Sequence, residues 1–144
     1  MLRQLLIALC LMAVCVVIHA TGVVSALKWL RGQPISVQRS WSVRWLFIRL
    51  AGWMILLHLG EIVVWGLMYF WRGAIVDVAA ALYFSAVTYT TTGYGDLLLP
   101  TEWRLVGAVE ALTGILMCGW STGFFFAVVS RVAESRTRSA IPTL

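Results

Sequence analysis

The sequence predicts an all-α membrane protein: three membrane-spanning helices, with a shorter helix between the second and third that enters and leaves from one side. Three observations predict it. Of 144 residues, 61% are hydrophobic and only 12% charged, where soluble domains carry about a quarter charged. Three apolar stretches each reach the ~20 residues that a helix needs to cross a bilayer core. The basic residues, which give a net charge of +5, gather between and beyond those stretches, so the charge reads as membrane topology rather than as affinity for nucleic acid. The length suits a single domain.

The first span covers about residues 5–30, interrupted by His19, Thr21, Ser25 and Lys28. Arg3 ahead of an apolar run and Ala20 as a small residue fit a cleaved signal peptide, but Ile18 is a poor match to small-x-small and the apolar run continues past Ala20. A retained helix is expected. Residues 31–49 form a link, in which Gly32 and Pro34 break the helix. From Ser40 onward, Trp41, Trp45 and Ile48 fall at helical spacing, with Arg44 and Arg49 able to reach head groups. This suits either a short interfacial helix or the snorkelling start of the next span.

The second span, 50–71, carries His58 and Glu61 three residues apart on one helix face, with Trp65, Tyr69 and Trp71 suited to an interface belt. After the break at Arg72 and Gly73, Asp77 can cap a helix over 78–89. That helix is too short to cross a bilayer and is therefore re-entrant. Pro100 ends the return limb. The third span, 103–130, has Glu110 near its start and Gly107, Gly114, Gly119 and Gly123 along it. Residues 132–144 are expected to be a short polar tail with no room for a ligand-binding domain.

Lys28, Arg31, Arg39, Arg44 and Arg49 in the link and Arg131, Arg136 and Arg138 near the C-terminus place both regions in the cytoplasm by the positive-inside rule, which puts the N-terminus outside. Cys10, Cys15 and Cys118 lie within apolar runs, act as small hydrophobes, and show no metal or redox spacing. The sequence holds no Ser/His/Asp or Cys/His grouping outside the membrane, no phosphate-binding glycine pattern and no HExxH, so an enzyme is not expected. No regularly spaced arginine series marks a voltage sensor.

The chemistry concentrates in Tyr83-Phe84-Ser85-Ala86-Val87-Thr88-Tyr89-Thr90-Thr91-Thr92-Gly93-Tyr94-Gly95-Asp96. Alternating glycines permit left-handed backbone, and a segment with that freedom can aim successive carbonyls at one axis, where they replace the hydration shell of a small cation. A Gly-rich turn between helices is the plainer reading, but it accounts for neither the hydroxyl run nor the flanking spans. Thr91-Thr92-Gly93-Tyr94-Gly95-Asp96 resembles the selectivity-filter signature of potassium channels, in which Val or Ile more often stands in place of Thr92. The order span, re-entrant helix, filter, span over 50–131 is similar to that family's pore-forming unit.

The resemblance implies a homotetramer around a central pore in a plasma membrane, with K+ as the permeating ion and no other cofactor or metal; the minimal size suggests a bacterial inner membrane. Thr91, Thr92, Gly93 and Tyr94 would offer coordinating carbonyls, Thr91 also its hydroxyl; Gly95 closes the filter and Asp96 sits at the outer mouth, with Tyr83 and Thr88 in support. Gly114 falls where inner helices of the family often carry a gating hinge, or it serves tight packing, which is favoured for Gly119 and Gly123. The chain departs from the family pattern in three places. Phe84 lacks the donor that a tryptophan gives the filter tyrosine, Thr92 adds a hydroxyl, and Val87 stands where some members place a bracing glutamate.

A span-buried acid costs roughly 2.5–3.5 kcal/mol on insertion scales, so Glu61 and Glu110 need partners. Glu110 is expected either to brace the pore helix or filter, with Thr88, Thr92 or Tyr94 as partners, or to sit exposed near the outer interface. His58 and Glu61 form either a pH-sensitive pair or hydrogen bonds to the first span through His19 or Thr21. Functionally, a potassium-selective channel leads. A weakly selective cation channel and a non-conducting regulatory membrane subunit of another channel are the alternatives, and a regulatory partner subunit remains open.

Overall fold

Four α-helices account for most of the chain: α1 (Leu2–Arg31), α2 (Ser40–Trp71), α3 (Val78–Tyr89) and α4 (Arg104–Ala140), with a 3-10 turn at Thr101–Trp103. They come from a computed structural model, which describes residues 2–32 and 40–140. Leu2–Arg31, Val43–Trp71 and Thr101–Ser135 are each long and apolar enough to cross a membrane, and Val78–Tyr89 is a shorter apolar helix. The extra N-terminal span is thus present as a continuous helix.

Two boundaries differ from the sequence expectation. α2 runs unbroken from Ser40, so the aromatic and basic residues ahead of position 50 begin the second span rather than form a separate interfacial helix. α4 continues to Ala140, well into the region expected as a polar tail. The helix-compatible residues 131–140, with no Gly or Pro among them, give it no stop signal.

α3 starts where Asp77, in extended conformation, accepts a hydrogen bond from the Ala80 amide at 2.7 Å. Gly73 makes the preceding turn possible, with φ +69 just after α2. At the other end, the Thr90 amide donates to the Ala86 carbonyl at 3.2 Å.

The core has two parts. Around α3, Trp65, Met68 and Tyr69 of α2 pack with Ala81, Phe84 and Tyr89, with Val106 and Met117 of α4, and with Ala8 and Cys15 of α1. Toward the opposite end, Val23, Ala26 and Leu30 of α1 meet Leu46, Leu50 and Met54 of α2 and Phe124, Val128 and Val132 of α4. α1 therefore runs along the other two spans through both parts.

Gly114 determines how closely α4 meets α3, because a Cβ there would collide with the Tyr89 carbonyl. This geometry supplies a packing reason for that glycine. Gly60 has nothing within 4 Å of its Cβ position. Gly114→Ala should therefore destabilise the protein by about 1–3 kcal/mol, the usual range for overpacking. Gly60→Ala should be neutral or stabilising by up to about 1 kcal/mol. Thermal unfolding in detergent measures both, and an equal response of the two variants contradicts the packing account.

Candidate functional site

Beyond α3 the backbone takes an alternating course. Thr91, Gly93 and Gly95 have φ of 58, 51 and 75, while none of the residues between them has a positive φ. Glycine adopts the left-handed region freely, but a threonine there is strained by about 1–3 kcal/mol. Two amides turn back onto the helix end: Thr91 donates to the Thr88 carbonyl at 2.9 Å and Gly93 to the Val87 carbonyl at 3.0 Å. The Thr90 and Thr92 hydroxyls lie 3.0 Å apart, which gives the Thr92 hydroxyl its partner. Residues 90–96 are all exposed on the single chain. Among the described residues Tyr94 makes no side-chain hydrogen bond, and it is 72% exposed.

Asp96 is held. The Tyr83 hydroxyl donates to its Oδ2 at 2.6 Å and ties the C-terminal end of the loop to α3. That hydrogen bond pushes the Tyr83 pKa above its ordinary value. Phe84 is buried one residue on, and its ring meets Tyr69 edge-on at 5.3 Å between centroids. Thr88 is half-buried, its methyl near Gly107 of α4.

Glu110 is fully buried and braces α3, though not through the expected residues. Its carboxylate accepts from the Tyr69 hydroxyl at 2.7 Å and lies 2.6 Å from the Ser85 hydroxyl, which is also 2.8 Å from the Ile62 carbonyl. Thr88, Thr92 and Tyr94 are not its partners. The brace joins α4, α3 and α2 near the middle of α3, behind the helix rather than behind the loop.

A second polar cluster sits at the C-terminal end of α3. Glu61 is fully buried. It faces His19 Nδ1 at 3.0 Å, accepts a hydrogen bond from the Tyr89 hydroxyl, and lies 3.9 Å from His58 Nδ1. His58 in turn meets the Tyr89 hydroxyl at 3.0 Å and the Ser121 hydroxyl at 3.1 Å. Ser121 also reaches His19 Nε2 at 3.2 Å. His58 and Glu61 thus do link to the first span through His19, whereas Thr21 bonds to its own helix at Val17.

Ser85, Tyr89 and Ser121 had no role in the sequence expectation, and Tyr69, expected with Trp65 in an interface belt, is instead fully buried, as is Trp65. The usable signal was that each is a hydroxyl in an apolar helix, where an unpartnered polar group is costly. The two sites are joined by α3: one carboxylate grips its middle, the other its end, and the alternating loop follows directly. A family model described as an ion channel matches residues 39–131. No curated protein and no solved structure matches the chain.

Tyr69→Phe should cost about 1–3 kcal/mol, since it leaves a buried carboxylate short of a donor. Thermal unfolding checks this, and an unchanged midpoint contradicts the brace. For Tyr83 the sign follows from its raised pKa. The contact with Asp96 is complete below the ordinary tyrosine pKa and is lost as pH rises through the raised one. In alkaline titration followed by ultraviolet absorbance, Tyr83→Phe should therefore remove one ionisation that lies above the ordinary tyrosine range, leaving those of the buried Tyr69 and Tyr89 in place.

Proposed function

The chain belongs to the ion channel family, and on that premise we propose that it is a potassium-selective channel, conducting passively through a homotetramer in which each copy supplies one quarter of a filter at 91–96. The observation that carries this reading is the alternating left-handed backbone at Thr91, Gly93 and Gly95, placed directly after a re-entrant helix and between two spans. Alternation of that kind lets neighbouring carbonyls face one side, as cation coordination requires. Carbonyls of Thr91, Thr92, Gly93 and Tyr94 take the ion, with the Thr91 hydroxyl at the inner end. Gly95 closes the filter and Asp96 lies at the outer mouth.

The C-terminal end of α3 points its partial negative charge toward the inner vestibule and favours a cation there without a fixed carboxylate. Glu110, through Ser85, takes the bracing role that Val87 cannot. The N-terminus lies outside and the C-terminus in the cytoplasm of a bacterial inner membrane, in keeping with the placement of the basic residues. A weakly selective cation channel is the second reading. The packing of Phe84 on Tyr69 favours it, because that residue gives the filter tyrosine no hydrogen bond.

Flux from liposomes containing the purified protein separates these readings. Potassium and rubidium should pass, sodium and lithium should be strongly disfavoured, and barium should block. Equal sodium flux supports the weakly selective reading; no flux from a verified tetramer supports a regulatory subunit. Gly93→Ala places a Cβ at φ +51, a strain of about 1–2 kcal/mol per subunit, and should abolish selective flux while leaving the tetramer assembled. Glu110→Gln should weaken selectivity or tetramer stability, and no change in either removes the brace from the mechanism.

A further inference from the structure

The cluster at His19, His58 and Glu61 has a shortage of protons. Ser121 Oγ lies 3.1 Å from His58 Nε2, 3.2 Å from His19 Nε2 and 3.7 Å from Met54 Sδ. A hydroxyl has one proton and two lone pairs. With that proton directed toward Met54, both lone pairs are open to the two Nε2–H groups, and in this tautomer both rings present bare Nδ1 atoms. Those bare atoms face Glu61 Oε1 at 3.0 Å, for His19, and Tyr89 Oη at 3.0 Å, for His58. Tyr89 has a single proton, and Glu61 Oε2 is its acceptor. Two nitrogen lone pairs and a carboxylate thus converge with one proton among them. Among the described residues, the ion-pair partners of Glu61 are these two histidines, not a lysine or arginine.

We propose that His19, His58 and Glu61 form a binding site for a divalent transition cation of the zinc type. Their candidate ligand atoms all lie within 4.8 Å of one another. Tetrahedral zinc with ligands at about 2.0–2.2 Å sets donor atoms about 3.3 Å apart, so closure on an ion needs only small side-chain movement. Two imidazoles and one carboxylate are a donor set that zinc accepts, and the fourth position faces the Tyr89 hydroxyl. Ser121 orients both rings from behind, as outer-shell groups do around metal-bound histidines. Access runs past His58, whose side chain is 19% exposed while those of His19 and Glu61 are closed off.

The sequence reading expected no metal beyond a permeating ion, since His19 is 42 residues from Glu61 and only the packing of α1 on α2 brings them together. A bound cation would pin α1 to α2 and sit against Tyr89, the residue preceding the loop at 90–96. This proposal goes beyond ion conduction and does not depend on it.

The test uses the purified full chain with Co2+ as spectroscopic probe and Zn2+ as competitor. One Co2+ per chain with intense tetrahedral visible bands, displaced by Zn2+, is expected, together with a thermal midpoint that rises with metal concentration. His58→Gln and Glu61→Gln should abolish the tetrahedral spectrum. Glu61→Gln keeps an acceptor for Tyr89, and an unchanged helical circular dichroism spectrum verifies its fold. Ser121→Ala should weaken binding about 10–100-fold. The proposal is overturned if the wild-type chain takes up no metal at saturating concentration, as when a proton shared by the histidines fills the same gap. It is equally overturned if uptake persists unchanged in both His58→Gln and Glu61→Gln. Since none of these readouts involves conduction, a channel without the metal site and a metal site without the channel give different results.

Discussion

Twelve residues of apolar helix cannot anchor themselves across a bilayer, so α3 depends on what grips it from the side, and two buried carboxylates provide the polar part of that grip. Glu110 reaches Ser85 in its middle, and Glu61 takes the hydroxyl of Tyr89 at its end. An acid within a span costs roughly 2.5–3.5 kcal/mol, while each hydrogen bond to a charged group returns about 1.5–3 kcal/mol. Glu110, between the Tyr69 and Ser85 hydroxyls, comes close to balance, whereas Glu61 has the Tyr89 hydroxyl as its donor and is balanced only in part. Their value lies in position rather than in net stability: each admits few rotations of α3 relative to α2 and α4. The backbone that leaves α3 at Thr90 inherits that fixed orientation.

α1 contributes to the second of these grips. Its His19 supplies Glu61 with one of its partners, and Gly22 allows the close approach, since a Cβ there would collide with Leu57. The Trp53 indole then donates to the Gly22 carbonyl at 3.0 Å, and Arg49 lies 4.9 Å over the Trp29 ring. These contacts tie the outer surface of the bundle together below the α3 end. A span that lies wholly outside the family match is thus joined to the residue preceding the loop through Glu61 and through Ser121 and His58.

The parts of this arrangement that rest on local chemistry were legible in the sequence. Asp77 is a cap in any context, a 12-residue apolar helix is short in any context, and Gly93 and Gly95 invite left-handed backbone. What could not be read was which side chains meet. The helices are apolar nearly all round, so hydrophobic periodicity gives no face and hence no rotation. Glu110 could be placed at the right height but not turned toward Ser85 and Tyr69 rather than Thr88 or Thr92. The start of α2 was undecided for a related reason, because Trp41, Trp45 and the arginines suit an interfacial helix and a helix entering the bilayer equally. The left-handed φ of Thr91 had no signal at all.

The exposed surface carries the argument one step further. Residues 90–96 present backbone amides and carbonyls, several hydroxyls and Tyr94 on the outside of a single chain. Irregular backbone at membrane depth cannot face lipid, since every unpaired group there is costly. It must face water or protein. Large apolar side chains of α4, among them Leu112, Leu116 and Phe126, are exposed as well. Lipid can cover those, but it cannot cover the loop. If the loop lies at membrane depth, as the proposed channel requires, the proposed closed ring of four meets the constraint: each loop turns one side to a water-filled axis and the other to its neighbours. The strained Thr91 fits that account, because a conformation held against its own preference persists only where surrounding contacts over-determine it.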